Sequence, residues 1–368
     1  MSRKNKFNRG DVAEGILGAC LVAKLLNRPK REGDNYPKVT RKNIDDVLDD
    51  FFKSGKELIE EAKDKVIKKK LIKDKIIFSI ALPIAALEFL KEKDIRKKIV
   101  GDLYDSSIAY VEKEWKKDIS KFYTNGIPDV IEIRSDGTGD QKGTKADIKI
   151  NVNGKKYRRQ ISLKVSGGEQ FAQISGDEFS KQLAIWNDIL GLNIEKMEST
   201  YNKAIHGYDK SMFFASRDDK KLSSFKNMLK TASKAVYTEA SKQIKNAIVS
   251  KDTIFYDKFV NLVIEGVTRG ELEVELVKLE SSKYKRLSFD KKSKEEYVQR
   301  IKKLNLIVDV PSEIDPQVRI YDGIKNKKNL ILQIRVKIES PSKNTREGKV
   351  YKPYMRNYIE AGPRLFDI

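Results

Sequence analysis

The chain has 368 residues, 39% hydrophobic and 35% charged, with 75 Lys and Arg against 54 Asp and Glu, a formal net charge of +21. That length allows two or three domains with a real core, and a positive excess spread along the whole chain points to a polyanionic partner. The single Cys and single His exclude an internal disulfide and a zinc centre built from those ligands, and leave a Ser-His-Asp or Cys-His hydrolase only His206, which has no companion motif.

The basic start, 1–8, is not followed at a suitable distance by the apolar core and cleavage site of a secretory signal, so none is expected. Gly10-Asp11-Val12-Ala13-Glu14 opens an apolar helix, expected over 10–27, with Cys20 buried and inert inside it. With no disulfide to form, a reducing cytoplasm is the expected compartment. Residues 41–74 read as helical from their periodicity and Lys/Glu pairs. The most hydrophobic run, 76–90, falls short of the roughly 20 residues of a membrane span, and it contains Pro83 and Glu88. It reads as a buried, kinked helix, and no membrane association is expected. Helical character continues to Lys121, where Asn125-Gly126-Ile127-Pro128 breaks it.

A first strand is expected over 129–134, followed by a glycine-bearing loop, 135–145. The loop lacks the GxxxxGK[ST] spacing of a nucleotide-binding loop and no helix follows it, so Lys142 and Lys145 are read as contacts to a bound phosphate or as plain solvated lysines. Next come Lys145-Ala146-Asp147-Ile148-Lys149-Ile150 and Arg159-Gln160-Ile161-Ser162-Leu163-Lys164, alternating apolar and polar on either side of Asn153-Gly154. Period-two alternation around Asn-Gly predicts two antiparallel strands joined by a tight turn. Pairing outward from Val152 and Lys155 sets Asp147 opposite Gln160, with Ser162 and Lys164 on the same face and Ile148, Ile150, Ile161 and Leu163 on the other. A carboxylate and an ammonium on one face suit metal-assisted phosphodiester hydrolysis: the first holds Mg2+, the second positions water or neutralises phosphate.

Asp147 followed by Ser162-Leu163-Lys164 resembles the motif of the PD-(D/E)XK nuclease superfamily, an Asp at the start of one strand and Glu-X-Lys on the next. The resemblance covers about 45 residues of the chain, from strand to strand to the following element. It implies a restriction-endonuclease-like sheet core, Mg2+ as cofactor with Mn2+ as a substitute, and duplex DNA as substrate. It implies catalytic roles for Asp147 and Lys164 and a metal contact from the Leu163 carbonyl. Ser162 departs from the pattern, because serine is a poor metal ligand, so a second carboxylate must come from elsewhere. Glu14, on the helix resembling the one that precedes the core in resolvase-like members, is the first candidate, and Glu132 on the preceding strand is the second. An ordinary first-turn glutamate would look the same as Glu14. Lys149, and Gln170 and Gln173 on a helix expected after the lysine strand, are candidate DNA contacts. Such nucleases often pair two active sites, so a homodimer is compatible with the resemblance, although no residue here speaks for one.

Residues 178–250 read as mostly helical, and 220–245 carries seven lysines with Tyr237 among them, a face able to track a DNA backbone or simply a solvated one. Helices are expected over 253–266 and around 291–303, with an indeterminate Glu/Lys stretch between them. A strand is expected over 304–310 and another over 329–339, with Gln333, Arg335 and Lys337 on one cationic face. Tyr351, Tyr354, Arg356 and Tyr358 supply a basic, aromatic end suited to nucleic-acid contact.

The expected fold is mixed α/β: a helical N-terminal region over 1–125 that lends a core helix, a nuclease-like core over 126–250, and a C-terminal α/β region over 251–368 with a DNA-binding role. The expected function is a Mg2+-dependent DNA endonuclease of restriction or phage type. A non-catalytic DNA-binding protein with a degenerate nuclease fold, and an RNA-binding or structural phage protein, are the alternatives.

Overall fold

A computed structural model describes residues 8–27, 36–54, 56–58, 66–124, 127–135, 146–165, 170–175, 186–188, 190–204, 214, 220–268, 273–309, 317–324, 327–340, 342–345, 348–351 and 353–368. The fold is mixed α/β, and the chain divides into two compact units. The first comprises Met1–Gly168 and Val267–Asp290, the second Glu169–Gly266 and Lys291–Ile368. This is not the expected division near 125 and 250: the chain leaves the first unit after Gly168, builds most of a second unit, and comes back at Val267 to add two more strands to the first.

In chain order the first unit contains helices α1 (Arg9–Leu26) and α2 (Arg41–Ser54), strands β1 (Lys56–Leu58), β2 (Val66–Lys73) and β3 (Ile76–Pro83), and helices α3 (Ile84–Lys91), α4 (Lys93–Glu114) and α5 (Lys116–Ser120). The short strands β4 (Tyr123–Thr124) and β5 (Ile127–Pro128) precede β6 (Ile131–Ser135), β7 (Ile148–Val152), β8 (Lys155–Lys156) and β9 (Gln160–Val165). The second unit begins with β10 (Gln170–Ser175), and the return to the first adds β11 (Val274–Glu280) and β12 (Lys283–Leu287). The main sheet runs β1-β2-β3-β6-β7-β9-β11-β12, with β8 paired to β7. Its pairs are antiparallel except β3 with β6 and β9 with β11.

Two expectations in the N-terminal half are corrected. Helical periodicity ends at Ser54, and 66–83 is a β-hairpin turning on Asp74 and Lys75, both at positive φ. The apolar run 76–90 is therefore a strand followed by a helix, with Pro83 at the junction. Its Ile76-Ile77-Phe78-Ser79-Ile80 half is β-branched and aromatic, which favours a strand, and an inner strand covered on both faces needs no polar alternation. The indeterminate Glu/Lys stretch is β11 and β12. Its charges are buried in pairs: Glu275 is bound by Arg159, Arg286 and Tyr110, and Lys278 pairs with Glu280 at 2.5 Å.

Helix α1 is buried along nearly its whole length, from Asp11 to Leu25. It lies so close to the sheet that a Cβ on Gly18 would come 2.5 Å from Ser135 Oγ and 2.9 Å from Phe78. Ser135 Oγ donates to the Glu14 carbonyl at 3.1 Å, which sets the first turns of α1 at the end of the sheet where β6 finishes. Cys20 is buried and unbonded to another cysteine, and burial pushes its thiol pKa well up. A second buried knot joins Arg96 to Asp45, Tyr104 and the Leu90 carbonyl.

The second unit is built on a five-stranded antiparallel sheet, β10-β18-β15-β14-β13, whose remaining strands are β13 (Leu306–Asp309), β14 (Gln317–Ile324), β15 (Lys327–Glu339) and β18 (Tyr354–Ala361). The helix Lys220–Ser250 packs on it. Tyr237, expected among the helix's surface lysines, is buried there with its hydroxyl donating to Asn357. No helix among the described residues is long and apolar enough to cross a membrane.

Candidate active site

The hairpin forms at the expected turn, Asn153 and Gly154 both taking positive φ, with Val152 opposite Lys155. Beyond Asn151 and Lys156 the register changes, and Ile148 faces Ile161, two positions on from the simple count. A shift of two keeps every side chain on its own face, because the period of a strand is two. Asp147 is thus brought level with Ser162, not with Gln160.

Gln160 explains how the ladder absorbs the extra residues. Its side-chain amide accepts from Ile150 N–H at 3.0 Å and donates to the Ile150 carbonyl at 3.0 Å and to the Tyr157 carbonyl at 2.6 Å. A side chain here satisfies backbone groups that the ordinary ladder would have paired. Gln160 is accordingly a structural residue and not a member of the polar site.

Asp147 lies just before β7, its N–H donating to the Ile161 carbonyl at 2.8 Å. Its Oδ2 accepts the Leu163 N–H at 2.5 Å and the Ser162 hydroxyl at 3.3 Å, and lies 3.7 Å from Lys164 Nζ. Ser162 is fully buried, whereas the Asp147 and Lys164 side chains remain 20% and 16% exposed, enough for a ligand to reach them. Ile148, Ile150, Ile161 and Leu163 sit in the core beneath. The serine that replaces the expected acid therefore acts as a donor to Asp147, holding its carboxylate in place.

A second carboxylate approaches from α1. Asp11, in the first turn and only 4% exposed, has its pKa pushed up to about 6, first by burial and then by the negative charge of Asp147, against a lowering hydrogen bond from Asn8. Asp147, flanked by Lys164 and sensed by Asp11, is the carboxylate of this site best placed to take part in holding a divalent cation, which commonly uses one or two protein carboxylates and completes its shell with water. The sequence points first to Glu14 and gives no separate signal for Asp11. Both lie on one helix face at a spacing of three and both are buried, so neither spacing nor exposure separates them in the sequence.

Glu14 is buried one turn further along α1, and its backbone carbonyl, as described, accepts from Ser135. Glu132 is not brought to Asp147: it faces Asn151, which donates to its Oε2 at 3.0 Å, four positions along β7. That is about 13 Å of strand. Lys149 is half-buried directly opposite Arg134, so two cations flank the polar side of this strand pair. Lys142, Lys145 and His206 lie outside the described residues. Gln170 and Gln173 stand on strand β10, paired with β18, and not on a helix. Arg335 is held by Glu360 at 2.8 Å and stacks over Tyr358, and Gln333 also donates to Glu360. The expected cationic face of that strand is largely neutralised, with Lys337 left exposed. Tyr358 likewise is buried, its hydroxyl donating to Glu339.

Among the described residues no group of three or more acid, His or Cys side chains gathers as a metal cage. No family model, no curated protein and no solved structure matches this chain.

Proposed function

We propose that this protein is a Mg2+-dependent DNA endonuclease with a restriction-endonuclease-like core of the PD-(D/E)XK kind. The observation that carries the reading is the approach of Lys164 Nζ to Asp147 Oδ2, 3.7 Å apart, with Ser162 and Leu163 both donating to the same carboxylate oxygen. Asp147 and Asp11, with the Leu163 carbonyl, would hold the cation. When bound, it supplies a Lewis acid for the phosphate oxygen and lowers the pKa of attacking water. Lys164 orients that water and balances the charge building on the phosphate. Ser162 and the Leu163 N–H fix Asp147, so its lone pairs point in one direction before substrate arrives. Arg134 and Lys149 add positive potential where the DNA backbone would pass. The buried free Cys20 accords with a reducing cytoplasm, which we propose as the compartment.

The test is incubation with supercoiled plasmid in Mg2+, in Mn2+ and in EDTA. Wild type is expected to nick or cut only with metal, and Asp147→Ala and Lys164→Ala to do neither. Equal activity in all three proteins rejects the assignment. The small acid count at the site favours a second reading, a DNA-binding protein that has lost catalysis. It predicts steeply salt-dependent binding with no cleavage under any metal.

A further inference from the structure

Across the parallel pair of β9 and β11 the register sets Ser162 beside Leu276 and Lys164 beside Lys278. Residues level with one another on neighbouring strands share a face, their backbones about 4.8 Å apart. Leu163, Val165, Val277 and Leu279 pack into or against the core on one side, so Lys278 projects with Lys164 on the other. Both strands end close by, β9 at Val165 and β11 at Glu280. The polar face that carries Asp147 and Lys164 thus extends one strand further, onto a segment the chain reaches only after building most of the second unit.

Two ammonium groups on adjacent strands repel each other, and the Lys278 side chain is only 7% exposed, so its charge calls for an anion. Glu280 supplies one. It lies two positions along β11, on the same face, with its Oε1 2.5 Å from Lys278 Nζ. The two partners differ in depth: the Glu280 side chain is 35% exposed and water can solvate it alone, whereas Lys278 gives up one counter-ion only for another. A carboxylate there matches the charge and the paired oxygens of a phosphodiester, and a phosphodiester between the two strands would take a charge-assisted hydrogen bond from each lysine.

We infer that Lys164 and Lys278 together form a cradle for a backbone phosphate, with the Glu280 carboxylate standing in for that phosphate until DNA displaces it. The inference rests on the proposal that DNA is the polymer this protein acts on, but not on cleavage. It is tested with the full-length protein in EDTA, by fluorescence anisotropy on duplex DNA across a salt series. Glu280→Gln is expected to bind severalfold more tightly, because the competing charge is gone. Lys278→Met, similar in length and uncharged, is expected to bind more weakly and to flatten the log-log salt slope by about one. A lysine that merely packs would lower the melting temperature and leave that slope alone. If Lys278→Met fails to fold, Glu280→Gln, at a part-exposed position, decides the matter by itself. Unchanged affinity in Glu280→Gln, or an unchanged slope in folded Lys278→Met, overturns the cradle. Cleavage by wild type is judged separately in Mg2+. A protein that cuts DNA while both variants bind as wild type does sinks this inference alone, and one whose binding shifts as expected but that never cuts sinks only the nuclease reading.

Discussion

Asp11, in the first turn of α1, feels the negative charge of Asp147, which adds to burial in pushing the Asp11 carboxyl pKa up to about 6. Such mutual repulsion costs stability in the empty protein and becomes useful once positive charge is supplied.

Asp11→Asn separates those two roles. The native state holds the Asp11 proton more tightly than the unfolded chain does, since the pKa rises from 3.8 to about 6. Its contribution is therefore fully present below pH 3.8 and is lost as pH rises through about 6. Asn mimics the protonated form, so urea unfolding should show no difference near pH 3.5 to 4 in round terms, roughly the ordinary carboxylate range, and a gain of at most about 3 kcal/mol at neutral pH. Cleavage by the same variant should be lost. A variant that is neither more stable nor less active removes Asp11 from the site.

Metal-dependent cleavage by wild type should fall on the acid side with an apparent pKa near 6, the value to which Asp11 is pushed. Raising Mg2+ should move that limb to lower pH, because cation and proton compete for the same carboxylate. A pH–rate profile at two Mg2+ concentrations measures it, and a limb indifferent to Mg2+ contradicts it.

Gln160→Leu should disturb the site without touching it. The substitution strands the Ile150 N–H and carbonyl that Gln160 now satisfies, and each buried unsatisfied group costs about 1–3 kcal/mol. A loss of at least about 2 kcal/mol in denaturant unfolding, together with reduced cleavage, is expected. Unaltered stability would show that the register shift does not depend on this amide.

Arg96→Ala should be among the most damaging single changes in the first unit. The Arg96 and Asp45 side chains are both wholly buried and 3.1 Å apart, and removing one partner of a buried ion pair typically costs about 3–5 kcal/mol. Thermal unfolding reads the loss. A shift of only a degree or two would mean that the pair is balanced by its own desolvation.

Local pattern carried much of this protein. The Asn153-Gly154 turn, the alternation of Ile148, Ile150, Ile161 and Leu163 against Asp147, Ser162 and Lys164, and the burial of α1 are all legible because neighbouring residues impose them through backbone angles and side-chain period. Where covering elements lie far away in sequence, the pattern misleads. The 76–83 run lost its strand signature because it is apolar on both faces, and β11 lost its own because Arg159, Arg286 and Glu280 neutralise charges that would otherwise mark a surface.

What only the tertiary structure decided is that Asp11 lies where it feels the charge of Asp147, and how far the ladder is shifted. The spacing of Asp11 and Glu14 along one helix face does not separate them, whereas the close packing of α1 on Ser135 and Phe78 at Gly18 is set by the tertiary fold. Sequence set the hairpin's chemistry because turn and alternation are local. The partner of that chemistry came from packing, since contact between residues so far apart in the chain is fixed by shape and not by spacing.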